Sequence, residues 1–171
     1  MSKIALPFLC CAMLAAPALS AQEAGGLPDA EAAQELVAMA PVTLGDLVIS
    51  GGFIRATLPN QPVASGFVTI ANEGETDDRL VGVATEFAAM SQIHTMEMDG
   101  DVMRMRELAD GIVIPAGESI TLEPGGLHLM FMQLDAAMVA GESRAVTLSF
   151  AEAGDATLDL PVIDLRAMDM N

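Results

Sequence analysis

The sequence has no tryptophan and no tyrosine, and only six phenylalanines in 171 residues. Stacked aromatic floors of the kind that hold sugars or single-stranded nucleic acid therefore have little to be built from. Basic residues are also few: 7 Lys and Arg stand against 24 Asp and Glu, for a formal charge of −17. Partners that present phosphates need clustered Lys and Arg, so DNA, RNA and anionic lipid headgroups are excluded. Cysteine occurs twice, at Cys10 and Cys11, inside an amino-terminal apolar stretch that follows Lys3 and runs from Ile4 to Leu19. That stretch ends in small residues, Ala18-Leu19-Ser20-Ala21, the pattern of a secretory signal peptide. Its 16 residues fall short of the ~20 that span a bilayer. The two cysteines lie within the run and not after small residues at its end, so lipid attachment is not expected.

Cleavage after Ser20 would leave 171 − 20 = 151 residues with six Arg, no Lys and 24 acids, a charge of 6 − 24 = −18. No cysteine would remain, although export permits disulfides. Cysteine nucleophiles, zinc-cysteine sites and thiolate-ligated blue copper are excluded together. The expected location is the periplasm, without stable membrane insertion once the leader is removed.

Residues 21–41 are rich in Ala, Glu and Asp and read as a short acidic linker. Beyond Val42 come short Val/Ile/Leu/Thr/Phe runs, punctuated by Gly, Pro, Asn and Asp every 8–12 residues or so. This is the texture of an antiparallel sandwich or barrel. Strands are expected at 46–50, 53–58, 66–72, 79–85, 89–98, 102–108, 118–123, 127–134, 144–151 and 156–163. The expected organisation is a leader over 1–20, the linker over 21–41, an all-β sandwich of eight or nine strands over 42–165, and a short tail over 166–171.

What the chain has in excess is methionine, 13 residues, and its only two histidines both sit among them. His94 leads His94-Thr95-Met96-Glu97-Met98, followed after a turn by Val102-Met103-Arg104-Met105; His128 opens His128-Leu129-Met130-Phe131-Met132. Side chains two apart share a strand face. His128, Met130, Met132 and Leu134 should then point one way, and Leu127, Leu129 and Phe131 the other. If Asp99-Gly100 forms a two-residue hairpin loop, Met98 faces Asp101, Met96 faces Met103, and His94 faces Met105. Imidazole and thioether would then meet on one face. That set is soft and neutral, and it selects Cu(I) over Zn, Mg or Ca. Met96, Met103 and Met132 stand beside these residues as support or packing, whereas Met90, Met138, Met168 and Met170 read as core or tail. The residues find no calcium loop, no Gly-x-Ser-x-Gly turn and no phosphate cradle.

Several blocks resemble the periplasmic copper chaperones of the PCu(A)C family. They are Phe53-Ile54-Arg55-Ala56-Thr57, Ala64 to Asn72, Asp78-Arg79-Leu80, the His94 to Met105 stretch, Ile114-Pro115-Ala116-Gly117 and Pro124-Gly125-Gly126-Leu127-His128-Leu129-Met130. The family pattern is a His, ten residues, a Met, some twenty-one residues, then His-x-Met. Here the intervals are ten residues (95–104) and twenty-two (106–127). The resemblance implies a cupredoxin-like Greek-key sandwich whose Cu(I) ligands are His94, Met105, His128 and Met130. It also implies a monomer without catalytic turnover. Such a carrier delivers copper to cytochrome c oxidase, either directly to its subunit II or through a Sco-type thiol protein. Two rivals stay open from the residues alone: an exported acidic β-sandwich that binds protein and no metal, and a copper-dependent oxidase or reductase.

Overall fold

The computed structural model describes residues 39–100 and 102–165. Eleven strands follow one another: β1 (Val42–Leu44), β2 (Leu47–Arg55), β3 (Val63–Asn72), β4 (Asp78–Ala84), β5 (Ala88–Asp99), β6 (Val102–Glu107), β7 (Ile112–Ile114), β8 (Ser119–Leu122), β9 (His128–Leu134), β10 (Ser143–Phe150) and β11 (Asp155–Ile163). Among the described residues only Leu165, the last of them, is helical, and no helix is long and apolar enough to cross a membrane. The leader, the linker through residue 38 and the tail from residue 166 lie outside the described residues.

The pairing order is β6-β5-β9-β3-β2-β11-β10-β4-β7, with β1 added to β2 and β8 to β3. All pairings are antiparallel except a short parallel contact, Val162 opposite Ile54 and Ile163 opposite Arg55. That contact joins two sheets that close on one apolar core. Strict alternation builds the core: β11 buries Ala156, Leu158, Leu160 and Val162, and β10 buries Val146, Leu148 and Phe150.

The segments expected as two strands, 46–50 and 53–58, form the single strand β2. Its register against β3 shifts between Ser50 and Phe53, where Gly51 has φ 62°. One extra residue held in the left-handed region by glycine is a β-bulge, which bends a strand without ending it. It also resets the inward parity, from Leu47 and Ile49 to Gly52 and Ile54. Two strands, β1 and β7, had no expected counterpart; at three residues each they carry too little alternation to be read.

One stack of side chains supports the β5–β9 region from beneath. Ile93, Leu129 and Phe131 are buried, and the Phe131 ring meets Phe87 edge-on with centroids 5.1 Å apart. Gly66 on β3 makes room for that ring: a Cβ there would come within 2.8 Å of it. The opposite faces of β5 and β9 are left free of core duty.

Candidate functional site

The odd-numbered positions Ile93, Leu129 and Phe131 take the core, so pleating sends His94, His128 and Met130 to the outer face. Pairing of β5 with β9 then sets His94 directly opposite His128, Gln92 opposite Met130, and Met90 opposite Met132. The two imidazoles meet with ring centroids 5.8 Å apart at 68°.

Hydrogen bonding fixes which nitrogen of each ring is available. His94 Nε2 lies 3.0 Å from Gln92 Oε1, and His128 Nδ1 lies 3.0 Å from the Gly126 carbonyl. Both partners are acceptors, so those ring nitrogens carry the proton and donate. A neutral imidazole keeps a lone pair on its other nitrogen. Those other nitrogens, His94 Nδ1 and His128 Nε2, are buried and without a hydrogen-bond partner; Arg144 Nε is the third such side-chain atom among the described residues. Leaving a buried polar atom unsatisfied costs ~1–3 kcal/mol, and such an atom calls for an explanation. An imidazole whose N–H is spent on a carbonyl while its other nitrogen is left bare has the arrangement of a metal ligand. With a metal–nitrogen bond of about 2.0–2.1 Å, two rings on one ion can have centroids up to about 6.4 Å apart. The observed separation falls inside that reach.

Burial lowers the pKa of His94 below its ordinary value, and the facing His128 lowers it further, while the Glu107 carboxylate pulls it part of the way back. Glu107 stands directly opposite His94 on β6. The net effect favours the neutral ring and its free lone pair.

The hairpin register differs from the expected one. Asp99 pairs with Val102, Met98 with Met103, Met96 with Met105, and His94 with Glu107, so His94 does not face Met105, nor Met96 Met103. Two positions separate the strands, and Gly100, at φ 66°, takes the first. A first loop residue with positive φ suits glycine, whereas the expected loop would have put Asp99 there. Because the slip is two residues, parity survives. Met105 stays on the His94 face as a diagonal neighbour, at the ~7–8 Å that long side chains bridge. Met130 lies two residues beyond His128, beside a cavity of about 320 Å³ lined by Arg55, Thr57, Gln61 and Ser65 among others.

Two further expectations need correction. Met90, read as core or tail, is exposed on the histidine face opposite Met132; its pairing depends on β5 and β9 being neighbours, which the sequence does not reveal. Leu134, expected on that face, packs against the core because Gln133 at φ 55° breaks the alternation. Met138 is fully buried, as expected, and Met168 and Met170 lie outside the described residues. Gln92, Glu107 and the Gly126 carbonyl were not anticipated. A faint clue existed for Gln92, which sits two residues before His94 and therefore on the same face.

The described fold and face define a small all-β domain with two opposed imidazoles set among thioethers. The chain belongs to the LpqE-like family, described as "Putative lipoprotein LpqE-like", whose profile matches residues 47–162. It is 31% identical over 123 residues to "Putative lipoprotein Lxx21020" of Leifsonia xyli subsp. xyli, spanning 72% of this chain and 73% of that one. Among solved structures it is similar to the copper-bound PCuAC domain from PmoF2, at 25% identity and TM-score 0.63, over 74% of this chain and 99% of that one. It is also similar to CuI-DR1885 from Deinococcus radiodurans, at 25% identity and TM-score 0.52, over 77% and 85% of the two chains.

Proposed function

We propose that this chain is an exported Cu(I) carrier without catalytic turnover. His94 Nδ1, His128 Nε2 and the thioethers of Met105 and Met130 hold the ion. The observation that carries this reading is the pair of bare, buried imidazole nitrogens on directly opposed residues, with methionines on the same face. Among the described residues no three His, Cys, Asp or Glu side chains gather as a metal-holding group, and on this reading the third and fourth ligands are the thioethers on the same face. Imidazole and thioether together favour Cu(I) over the harder Zn, and a neutral set leaves the ion's single charge uncompensated, which suits release.

The similarity to copper-bound PCuAC structures supports the same reading. On it, a leader over 1–20 directs the chain to the periplasm, the linker over 21–41 precedes a monomeric Greek-key, cupredoxin-like sandwich over 42–165, and 166–171 is a tail. The acceptor is the copper centre of cytochrome c oxidase subunit II or a Sco-type thiol protein. A chain of charge −17 would meet such an acceptor through a basic patch, because complementary charge steers encounter.

The test is titration of the full chain with Cu(I) under reducing conditions, alongside His94→Gln and His128→Gln. Each substitution should remove the Cu(I) equivalent that acid displaces, and a Zn excess should not displace that ion. Displacement by Zn, or uptake indifferent to both substitutions, overturns the reading.

A further inference from the structure

Beyond the two histidines the β5–β6 hairpin carries four methionines that the proposed site does not fully use. Met98 opposes Met103, and Met96 opposes Met105. Parity puts all four on the His94 face. Packing does not explain them: Met98, Met103 and Met105 are 64%, 52% and 45% exposed, on a hairpin whose second strand is the last in the sheet and is exposed throughout. Any residue with strand propensity would serve such positions, yet the two rungs nearest the turn on this face carry only thioethers, and Glu107 enters it only opposite His94.

The backbone brings these thioethers close. The Met96 N–H bonds the Gly126 carbonyl in the turn that leads into β9, so the backbone groups of Met96, and by alternation those of Met98, turn toward the β9 side and away from β6. Met96–Met105 and Met98–Met103 are therefore non-hydrogen-bonded pairs of the hairpin. In such pairs the Cα atoms approach to ~4.5 Å and the side chains are closest. The two rungs stand ~6.8 Å apart along the strands. Methionine, unbranched with three rotatable bonds, can converge across that span.

We infer that this methionine ladder is a second Cu(I) site, built of thioether sulfur alone, at the exposed end of the hairpin. Thioethers select Cu(I), and the four sulfurs can surround one ion without any imidazole. Met105 is shared with the inner site, so an ion taken at the tip has a continuous path of sulfur toward His94. The ladder stands on its own, whether or not the histidines hold copper.

The two sites differ in how they answer to acid. Imidazole, with an ordinary pKa near 6.5, is lost to protons, while a thioether has no proton to gain in this range. The full chain carrying His94→Gln and His128→Gln should bind one Cu(I) at about pH 7 and still bind it at about pH 4, read by competition with a chromogenic Cu(I) chelator. X-ray absorption should show a sulfur-only shell. Adding Met98→Leu and Met103→Leu, with folding checked by circular dichroism, should abolish that equivalent. In the otherwise natural chain the two leucines should spare the acid-sensitive equivalent; its absence there counts against the histidine site and not against the ladder. If the histidine variant does not fold, the natural chain at about pH 4 gives the same reading. No Cu(I) uptake by the histidine variant, or uptake that survives both leucines, overturns the ladder.

Discussion

The body of the molecule and its β5–β6 hairpin obey the same alternation to different ends. In β10 and β11 every second side chain enters the core, and the alternation is spent on burying apolar surface. Past Ile93 the hairpin has no core beneath it, and β6 buries nothing. There, alternation sorts chemistry instead. Methionines, His94 and, opposite it, Glu107 take one face, while Glu97, Asp99, Arg104 and Arg106 take the other, with Arg104 2.9 Å from Asp99 and Arg106 3.9 Å from Glu97. Exposed side chains contribute little to stability, so the residues of this arm are free to be chosen for a ligand.

The comparison breaks most visibly at Phe131, which lies under the histidines with its ring on Gly66 and Phe87. Phe131→Ala should cost ~3–5 kcal/mol. Met103→Ala on the hairpin should cost within about 0.5 kcal/mol, as exposed positions do. Urea denaturation measures both. Equal losses would mean that the hairpin is part of the stabilising core after all.

Within the hairpin, Met105→Leu and Met96→Leu sharpen the comparison, since each keeps the volume at a cost under ~1.5 kcal/mol and removes one sulfur. Cu(I) affinity should fall further in Met105→Leu. A greater fall in Met96→Leu would move the sulfur ligand across the rung, because the two residues are directly opposed, and would leave the imidazole pair intact.

This pair also marks the boundary of what the sequence could tell. Period-two alternation made two half-faces legible, His94 with Met105 and His128 with Met130, because parity is indifferent to a slip of two. The register itself was not. Asp99-Gly100-Asp101 offers two loops of equal length, and the choice depends on where the positive φ falls; glycine takes it at the first loop position. Nor could the sequence show that β5 pairs with β9, and only that long-range pairing opposes the two histidines. Gln92 and the Gly126 carbonyl matter because they leave bare nitrogens, a fact of hydrogen-bond geometry with no sequence motif.

Acid tests the buried end of the same face. The folded chain holds the His94 pKa below its unfolded value of about 6.5, so the unfolded chain takes the proton first. Stability contributed by neutral His94 is therefore complete above about pH 6.5 and is lost progressively as pH falls below it, until the folded ring also protonates. Cu(I) affinity should follow the folded ring and hold to lower pH than free imidazole would. Glu107→Gln removes the one influence that raises the pKa, so nuclear magnetic resonance titration should find His94 protonating at still lower pH. A rise would show that Glu107 does not act on the ring through its charge.

The smallest effect belongs to the charged face of the hairpin. Asp99 and Arg104 form a short pair, but their side chains are 55% and 61% exposed, and exposed pairs typically contribute 0.2–1 kcal/mol. Asp99→Asn should therefore lower stability by less than about 1 kcal/mol, and the difference from the natural chain should shrink in about 0.5 M salt, where the Debye length is only a few ångströms. Cu(I) affinity should not change, because Asp99 points away from the methionines and the register rests on Gly100. Gly100→Ala provides the contrast: a side chain at φ 66° costs ~1–2 kcal/mol, and that cost does not respond to salt. If Asp99→Asn weakened copper binding while Gly100→Ala did not, the ion pair and not the glycine would be setting the register, and the two faces of the hairpin would not be independent.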